Sequence, residues 1–286
     1  MKKKSRLVIT ISALLVIIAA GTLLFVFRPA QLSTTHNHYR ISGMSANIRG
    51  TASPAKQIQY RVGNGTKRTI AVRSGSFAIN LPASDHKQIV TIYNHGRSKK
   101  VTVSAATALA DYQRFVGIYN QALIASRLPK HLQQIAKNPA ADPAQGQQQA
   151  AELAAAMAKI QKNSQKELLP VQLNNTIRSL PAQHSYQLRI NVRHQQLIGL
   201  TLISPLAGLR NQKAQQTTGS FATVLALIAQ ASGADPSQVL KDFGKTARQA
   251  NNAKTTSLRP IRSKGIQFDL GVSTQNLYVY VSKYDH

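Results

Sequence analysis

Carboxylates able to act in acid–base catalysis are few in this sequence. The chain has nine Asp and Glu residues, and general acid–base chemistry needs two of them held close together. Asp142 and Asp235 are each followed by proline, a pattern typical of a helix N-cap with proline at the first helical position. Asp269 lies among apolar residues of an expected strand, where we expect it to face a lysine or arginine. The carboxylates therefore predict no catalytic residue.

Nucleophiles and metal ligands give no stronger signal. Serine precedes lysine by three residues at Ser53–Lys56 and Ser84–Lys87, but that spacing serves catalysis at the start of a helix, and both matches fall between expected strands. The chain has no cysteine, and its eight histidines, including His36 and His38, are scattered rather than gathered with ligand spacing. We predict no metal and no cofactor.

Positive charge is the feature that points to a function. The chain carries 36 Lys and Arg residues, a formal net charge of +27 with histidine neutral. Like charges destabilise a compact fold unless counter-charge lies nearby, so we expect a polyanionic partner. We predict a binding patch in which Lys67-Arg68 and Arg97/Lys99/Lys100 lie on neighbouring strands. The predicted patch consists of Arg61, Lys67, Arg68, Arg73, Arg97, Lys99 and Lys100.

The N-terminal segment determines the predicted location. Met1–Arg6 carries four cations, and Leu7–Phe27 is then 21 residues without a charge, long enough to cross a bilayer as a helix. We predict a cytoplasmic tail at 1–6 and a single transmembrane helix at 7–27, with the rest outside the membrane. A cleaved signal peptide is the alternative. The absence of cysteine suits an envelope without oxidative folding, and a Gram-positive bacterium is the source we expect.

The external part divides into three segments. We predict a stalk at 28–37, a β module at 38–105 and an α+β domain at 106–286. In the β module, apolar and polar residues alternate over Gln57–Val62, and further short apolar runs are separated by glycine-containing turns. About seven short strands are typical of a small sandwich.

Three runs of the β module carry a resemblance to a known family. They are Ile41-Ser42-Gly43, then Ser74–Ile79 with a G-x-F strand opening, and Gly96–Val103 with the pattern G-x-S-x-x-V-x-V. The module resembles the bacterial immunoglobulin-like modules of surface proteins, over residues of about 38–105 only. The resemblance implies a spacer or adhesion module and no catalytic residues.

The remaining sequence predicts helices followed by a mixed domain. Apolar residues at helical spacing from Leu109 to Leu123, and a long Ala/Gln/Lys segment over Gln145–Lys166, predict a helical hairpin. Residues 186–286 follow the order β-β-α-α-β-β, which favours an antiparallel sheet. The predicted fold class is α+β: a transmembrane helix, an Ig-like sandwich, and a hairpin packed on a ββααββ domain.

The function predicted from these features is binding rather than catalysis. We expect a membrane-anchored, extracytoplasmic binding or scaffold protein of the bacterial envelope. Its basic ectodomain would engage an anionic cell-wall polymer or an anionic lipid surface. One alternative is an envelope enzyme with its site in the distal α+β domain, which a pocket joining Asp269 to a histidine would support. The other is a receptor for extracellular DNA, which the low aromatic content of 6% disfavours. No oligomeric state is predicted.

Overall fold

The computed structural model describes residues 31–42, 44–183, 185–206, 221–252 and 258–284. These residues form two compact units that interleave along the chain. The smaller, called the β unit, contains residues 31–39, 47–81 and 88–103. The larger, called the α+β unit, contains the described residues of 40–46, 82–87 and the chain from 104 onward.

The β unit is built from two sheets. One has five strands in the order β2-β8-β7-β4-β5, and the other has three in the order β1-β3-β6. Strand β2 runs parallel to β8, whereas β4, β5, β7 and β8 pair antiparallel. The strands are β1 Gln31–Thr34, β2 His38–Tyr39, β3 Ser45–Ser53, β4 Gln57–Val62, β5 Arg68–Ala71, β6 Ser76–Pro82, β7 Gln88–Asn94 and β8 Arg97–Val103.

Alternating burial in both sheets defines the core of this unit. Every second residue of β3 and β6 is buried, and β4, β7 and β8 bury Ile58, Val90 and Val101 among others. Two sheets that each bury one apolar face are typical of a β-sandwich. The strands predicted around Ile58–Val62 and in the later apolar runs are confirmed, while the immunoglobulin-like assignment stays a prediction.

Strands β1 and β3 were not predicted from the sequence. The stalk expected at 28–37 is wrong for Gln31–Thr34, because these residues pair antiparallel with β3 from Gln31↔Ser53 to Thr34↔Gly50. Strand β3 gave no signal because most of its inward residues are small, with only Ile48 bulky among alanines and glycine. Small inward residues bury little apolar area and leave a weak alternation in the sequence.

The α+β unit contains one antiparallel sheet and five helices among its described residues. The sheet order is β10-β11-β12-β15-β14-β13, and β9 also pairs with β12. The strands are β9 Ala110–Asp111, β10 Thr176–Ser179, β11 Gln187–Arg193, β12 Gln196–Pro205, β13 Ile261–Ser263, β14 Ile266–Val272 and β15 Asn276–Lys283. The helices are α1 Tyr112–Ser126, α2 Lys130–Lys137, α3 Pro143–Asn163, α4 Phe221–Ser232 and α5 Pro236–Asn252.

Helices α1 and α4 pack against one face of this sheet. Phe115 and Tyr119 of α1 share a buried cluster with Ile190 of β11 and Val279 of β15. Side chains alternate across a strand, so Tyr278 and Tyr280 lie on the opposite face. The two rings are half-buried and stacked, with centroids 6.1 Å apart.

The predicted helix caps are confirmed. Asp142 accepts a hydrogen bond from the Gln145 amide at 2.9 Å, and Asp235 accepts one from the Ser237 amide at 2.9 Å. Each aspartate satisfies an amide that the first helical turn leaves without a partner. These two carboxylates therefore have structural roles.

The fold class predicted from the sequence is contradicted in some of its parts. The chain is α+β, but no helix of the described residues is both long and apolar enough to cross a membrane. The span predicted at Leu7–Phe27 and the tail at 1–6 lie outside those residues.

Three helices replace the predicted hairpin, because Lys130–Lys137 forms α2 between the two expected helices. The sheet gains β10 and β13 at its edges, short strands whose sequences, TIRS and IRS, hold one apolar residue each.

Gly50 of β3 allows β1 to approach. A Cβ atom at this position would clash with the Ser33 carbonyl oxygen and would lie 2.5 Å from Cζ of Phe77. Gly50→Ala is therefore expected to lower the free energy of unfolding of the β unit by about 2–3 kcal/mol, through strand displacement. Urea denaturation measures the loss.

The adjacent residue supplies the matched control. Thr51→Ala removes only an exposed hydroxyl hydrogen bond of 2.8 Å to Ser33, which is expected to cost less than about 1 kcal/mol. Equal stability of the Gly50→Ala and Thr51→Ala proteins would show that β1 does not require a glycine opposite it.

Candidate functional site

The β unit carries only positive charge. Its described residues include nine lysines and arginines and no aspartate or glutamate. The five ion pairs found among the described residues all lie in the α+β unit. The cations of the β unit are Arg49, Lys56, Arg61, Lys67, Arg68, Arg73, Arg97, Lys99 and Lys100. The negative charge that neutralises these cations must therefore come from outside this unit.

Strand order divides the predicted patch. Strands β5 and β8 are separated by β4 and β7, which places them about 14 Å apart at the usual strand spacing. The expectation that Arg68 and Arg97 lie on neighbouring strands is therefore wrong. Arg73 lies beyond the five-stranded sheet, in a bridge with Ser76 ahead of β6.

Register determines which cations share a face. Arg61 pairs with Thr91, and Thr91 pairs with Lys100, so Arg61 and Lys100 project from one face of the five-stranded sheet. This face is called the outer face. The adjacent row contains Arg68 and Lys99 in line with the buried Tyr60 and Ile92, so these two cations project from the opposite face.

A groove of about 590 Å³ collects three of the cations of the β unit. Lys56 precedes β4, Lys67 precedes β5, and Arg97 begins β8. The turn between β7 and β8 places Arg97, because His95 and Gly96 have φ of 43° and 79°. Left-handed conformations at both central positions give the tight hairpin turn that pairs Asn94 with Arg97.

Lys67 is positioned over an aromatic ring of the groove. Its Nζ lies 4.6 Å from the ring centroid of Tyr93, within the range of a cation–π interaction. Tyr93 belongs to the outer-face row between Gln59 and Ser98. The ring orients the ammonium group without neutralising it, so the charge remains available to an anion.

Asn94 belongs to the buried row of β7, in alternation with Tyr93. Its side chain is 3% exposed, and its Nδ2 donates to the Gln31 carbonyl oxygen at 3.0 Å. Its Oδ1 is buried and has no hydrogen-bond partner among the described residues. A side chain on this buried row does not reach a ligand in the groove. The exposed side chains of Gln57 and Gln59, which line the groove, can instead hydrogen-bond to hydroxyl groups. The groove therefore suits a molecule with both anionic groups and hydroxyl groups.

Sequence reasoning located only part of this groove. It identified Lys67 and Arg97 but missed Lys56, Tyr93 and Asn94. The pairing of β4 with β7 brings Lys56 beside the β7–β8 turn, and pairing of strands distant in the chain leaves no local pattern.

The structure offers the enzyme alternative little support. Asp269 accepts hydrogen bonds from Nε2 of Gln267 at both carboxylate oxygens, at 2.9 and 3.0 Å. Among the hydrogen bonds and ion pairs of the described residues, none joins Asp269 to a histidine. The same residues contain no cluster of three His, Asp or Glu side chains arranged to bind a metal ion.

Ser84, Asp85 and His86 of the α+β unit have the residue types of a catalytic triad but not its geometry. Nδ1 of His86 lies 3.1 Å from Oγ of Ser84 and 2.9 Å from Oδ1 of Asp85. A triad places the serine and the carboxylate on opposite ring nitrogens. His194 contacts the second oxygen of Asp85 at 2.5 Å. The cluster therefore fastens Asp85 to the β11–β12 turn rather than activating Ser84.

No known protein-family model matches this chain, and no curated protein matches it in sequence.

The Asp85 cluster predicts a defined acid dependence. The hydrogen bond from His194 holds the pKa of Asp85 at about 2, below its ordinary value of 3.8. A carboxyl group whose pKa is lower in the folded than in the unfolded protein stabilises the fold at pH values above its unfolded pKa. That contribution disappears as the pH falls from about 4 to 2. Asp85→Asn is expected to cost about 1 kcal/mol at pH 6 and nothing below pH 2, measured by urea denaturation.

Asp142→Asn is the matched control, because asparagine caps a helix as well as aspartate does. It is expected to leave the stability at pH 6 nearly unchanged. A loss for Asp85→Asn that is the same at pH 6 and below pH 2 would show that the charge of Asp85 contributes nothing.

Proposed function

We propose that this protein binds an anionic polymer of the bacterial cell envelope through the cationic groove and outer face of its β unit, as a non-enzymatic binding or scaffold protein. The observation that supports this most strongly is the set of nine cations without a carboxylate in the unit. Fixed counter-charge on a partner would relieve their mutual repulsion.

The groove chemistry favours a polymer that alternates anionic and hydroxyl groups. Lys56, Lys67 and Arg97 supply charge, and the exposed amides of Gln57 and Gln59 supply hydrogen-bonding groups. A polyol-phosphate polymer of the teichoic type has phosphates that can bind the cations and hydroxyl groups that can bind the hydrogen-bonding groups of the groove. An acidic polysaccharide shares this chemistry with a lower charge density.

Duplex DNA is the less suitable polyanion. Nucleic-acid recognition that goes beyond charge uses aromatic stacking or contacts to base edges. The ring in the groove is Tyr93, and Lys67 already lies over one of its faces. DNA would therefore bind through phosphate contacts alone. The location outside a membrane stays a prediction, since residues 1–30 lie outside the described part of the chain.

The proposal predicts salt-dependent binding that depends on the groove. With labelled poly(glycerol phosphate) in a fluorescence anisotropy titration of the full chain, affinity is expected to fall at least about tenfold between 50 and 200 mM NaCl. Lys67→Gln with Arg97→Gln is expected to weaken binding and to reduce the slope of log K against log salt by about 2.

A double variant of the α+β unit provides the control with the same loss of charge. Lys130→Gln with Lys241→Gln removes two exposed cations outside the groove and is expected to leave the slope unchanged. Equal effects of the two double variants, or binding insensitive to salt, would contradict the proposal. Tighter binding of a duplex DNA with the same number of phosphates would favour the DNA receptor instead.

A further inference from the structure

The α+β unit has a cationic cavity of its own, distinct from the groove of the β unit. It has a volume of about 520 Å³, within the range of small-molecule sites. Its walls come from residues 40–42 and 104–107 and from strands β12, β13, β14 and β15. All of these segments belong to the α+β unit.

Arg262 is the most firmly positioned cation in this cavity. Its guanidinium carbon lies 3.9 Å from the ring centroid of Tyr284, and its Nε donates to Oε1 of Gln267 at 3.0 Å. These two contacts fix the plane of the guanidinium group. The side-chain hydrogen bonds of the described residues leave its two terminal nitrogens unused, and such a pair is suited to bidentate contact with an oxyanion.

Asp269 positions this arginine without neutralising it. Both of its carboxylate oxygens accept from Nε2 of Gln267, which turns Oε1 of Gln267 toward Arg262. The carboxylate itself does not line the cavity, whose walls contain Arg40, Arg262 and Lys283 and no acidic residue. The strand carboxylate that stood out in the sequence thus positions Arg262 through Gln267.

The lining indicates the chemical class of the ligand. Lys283 pairs with the buried Ile266, so its side chain leaves the sheet on the face opposite Gln267 and Ser282, and Arg40 and Arg262 are the cations that remain. Two cations without an acid favour a dianion over a monoanion, and a phosphomonoester is a dianion near neutral pH, whereas a carboxylate is not. Ser42, Ser104 and Ser282 add hydroxyl groups that suit a polyhydroxylated body. We propose that this cavity binds a small phosphorylated polyol or sugar through its phosphoryl group, with Arg262 as the principal contact.

The inference does not rest on the proposed polymer binding, because the two sites share no residue. Isothermal titration calorimetry of the full chain with glucose 6-phosphate, inorganic phosphate, glucuronate and glucose tests it. Glucose 6-phosphate is expected to bind most tightly and inorganic phosphate more weakly. Glucuronate is expected to bind at least about threefold more weakly than glucose 6-phosphate, and glucose to give no binding.

Arg262→Gln is expected to weaken glucose 6-phosphate binding at least about tenfold, since it removes a charge-assisted bidentate contact. Arg262 is exposed, so the variant is expected to keep the wild-type melting temperature. Arg189→Gln, in the same sheet but outside the cavity, is the control and is expected to bind as the wild type does. Arg40→Gln is a second variant that is expected to weaken binding.

Three results would overturn the inference. They are no binding of glucose 6-phosphate at 20 mM, glucuronate binding as tightly as glucose 6-phosphate, and unchanged binding by both Arg262→Gln and Arg40→Gln. The protein with Lys67→Gln and Arg97→Gln is expected to bind glucose 6-phosphate normally. Failure of polymer binding with retention of glucose 6-phosphate binding would thus count against the proposed function alone.

Discussion

Uncompensated positive charge in the β unit is the constraint on which the rest of the account depends. Ion pairs, the usual means of neutralising charge, are not formed there among the described residues, because the unit has no carboxylate. Its cations are instead accommodated by neutral groups and by separation. Lys67 lies over the ring of Tyr93, and Arg61 and Lys100 are separated by Thr91. A fold that tolerates such charge without cancelling it keeps that charge available for a partner.

The α+β unit uses its carboxylates for structure. Asp111, Asp142 and Asp235 cap helices, and Glu167 accepts from Nη2 of Arg127 at 2.6 Å. Asp269 is held by the amide of Gln267. Each of these acids therefore has a structural partner, and the walls of the cavity around Arg262 contain no acidic residue.

Local patterns in the sequence predicted the elements but not their arrangement. The alternation over Gln57–Val62 predicted strand β4, and the Asp142-Pro143 pair predicted the start of helix α3. Both patterns were sufficient because strand period and helix caps depend on neighbouring residues. Strand β3 was missed because glycine and alanine form most of its inward face, and one of them, Gly50, is there to admit β1. The local sequence pattern that predicts a strand is therefore strongest where inward side chains are large. It is weakest where small residues let two backbones approach closely.

The sites depend on contacts between distant parts of the chain. Strand order separates Arg68 from Arg97 and brings Lys56 toward the β7–β8 turn instead. The second cavity joins residues near position 40 to the last strand, and no spacing rule relates them. Even so, Asp269 stood out in the sequence as an acid in an apolar strand, although its partner proved to be an amide that positions an arginine.

The salt dependence of the stability of the β unit tests the central claim most directly. Amide hydrogen exchange of the full chain, followed by mass spectrometry, reports local opening free energies for β6, β7 and β8 separately from the α+β unit. Raising NaCl from 0.01 to 0.1 M shortens the screening length from about 30 to 10 Å. We expect exchange in β6, β7 and β8 to slow several-fold as repulsion is screened, with a smaller change in α1 and α4. Exchange in the β unit that is unchanged or faster at higher salt would contradict the account.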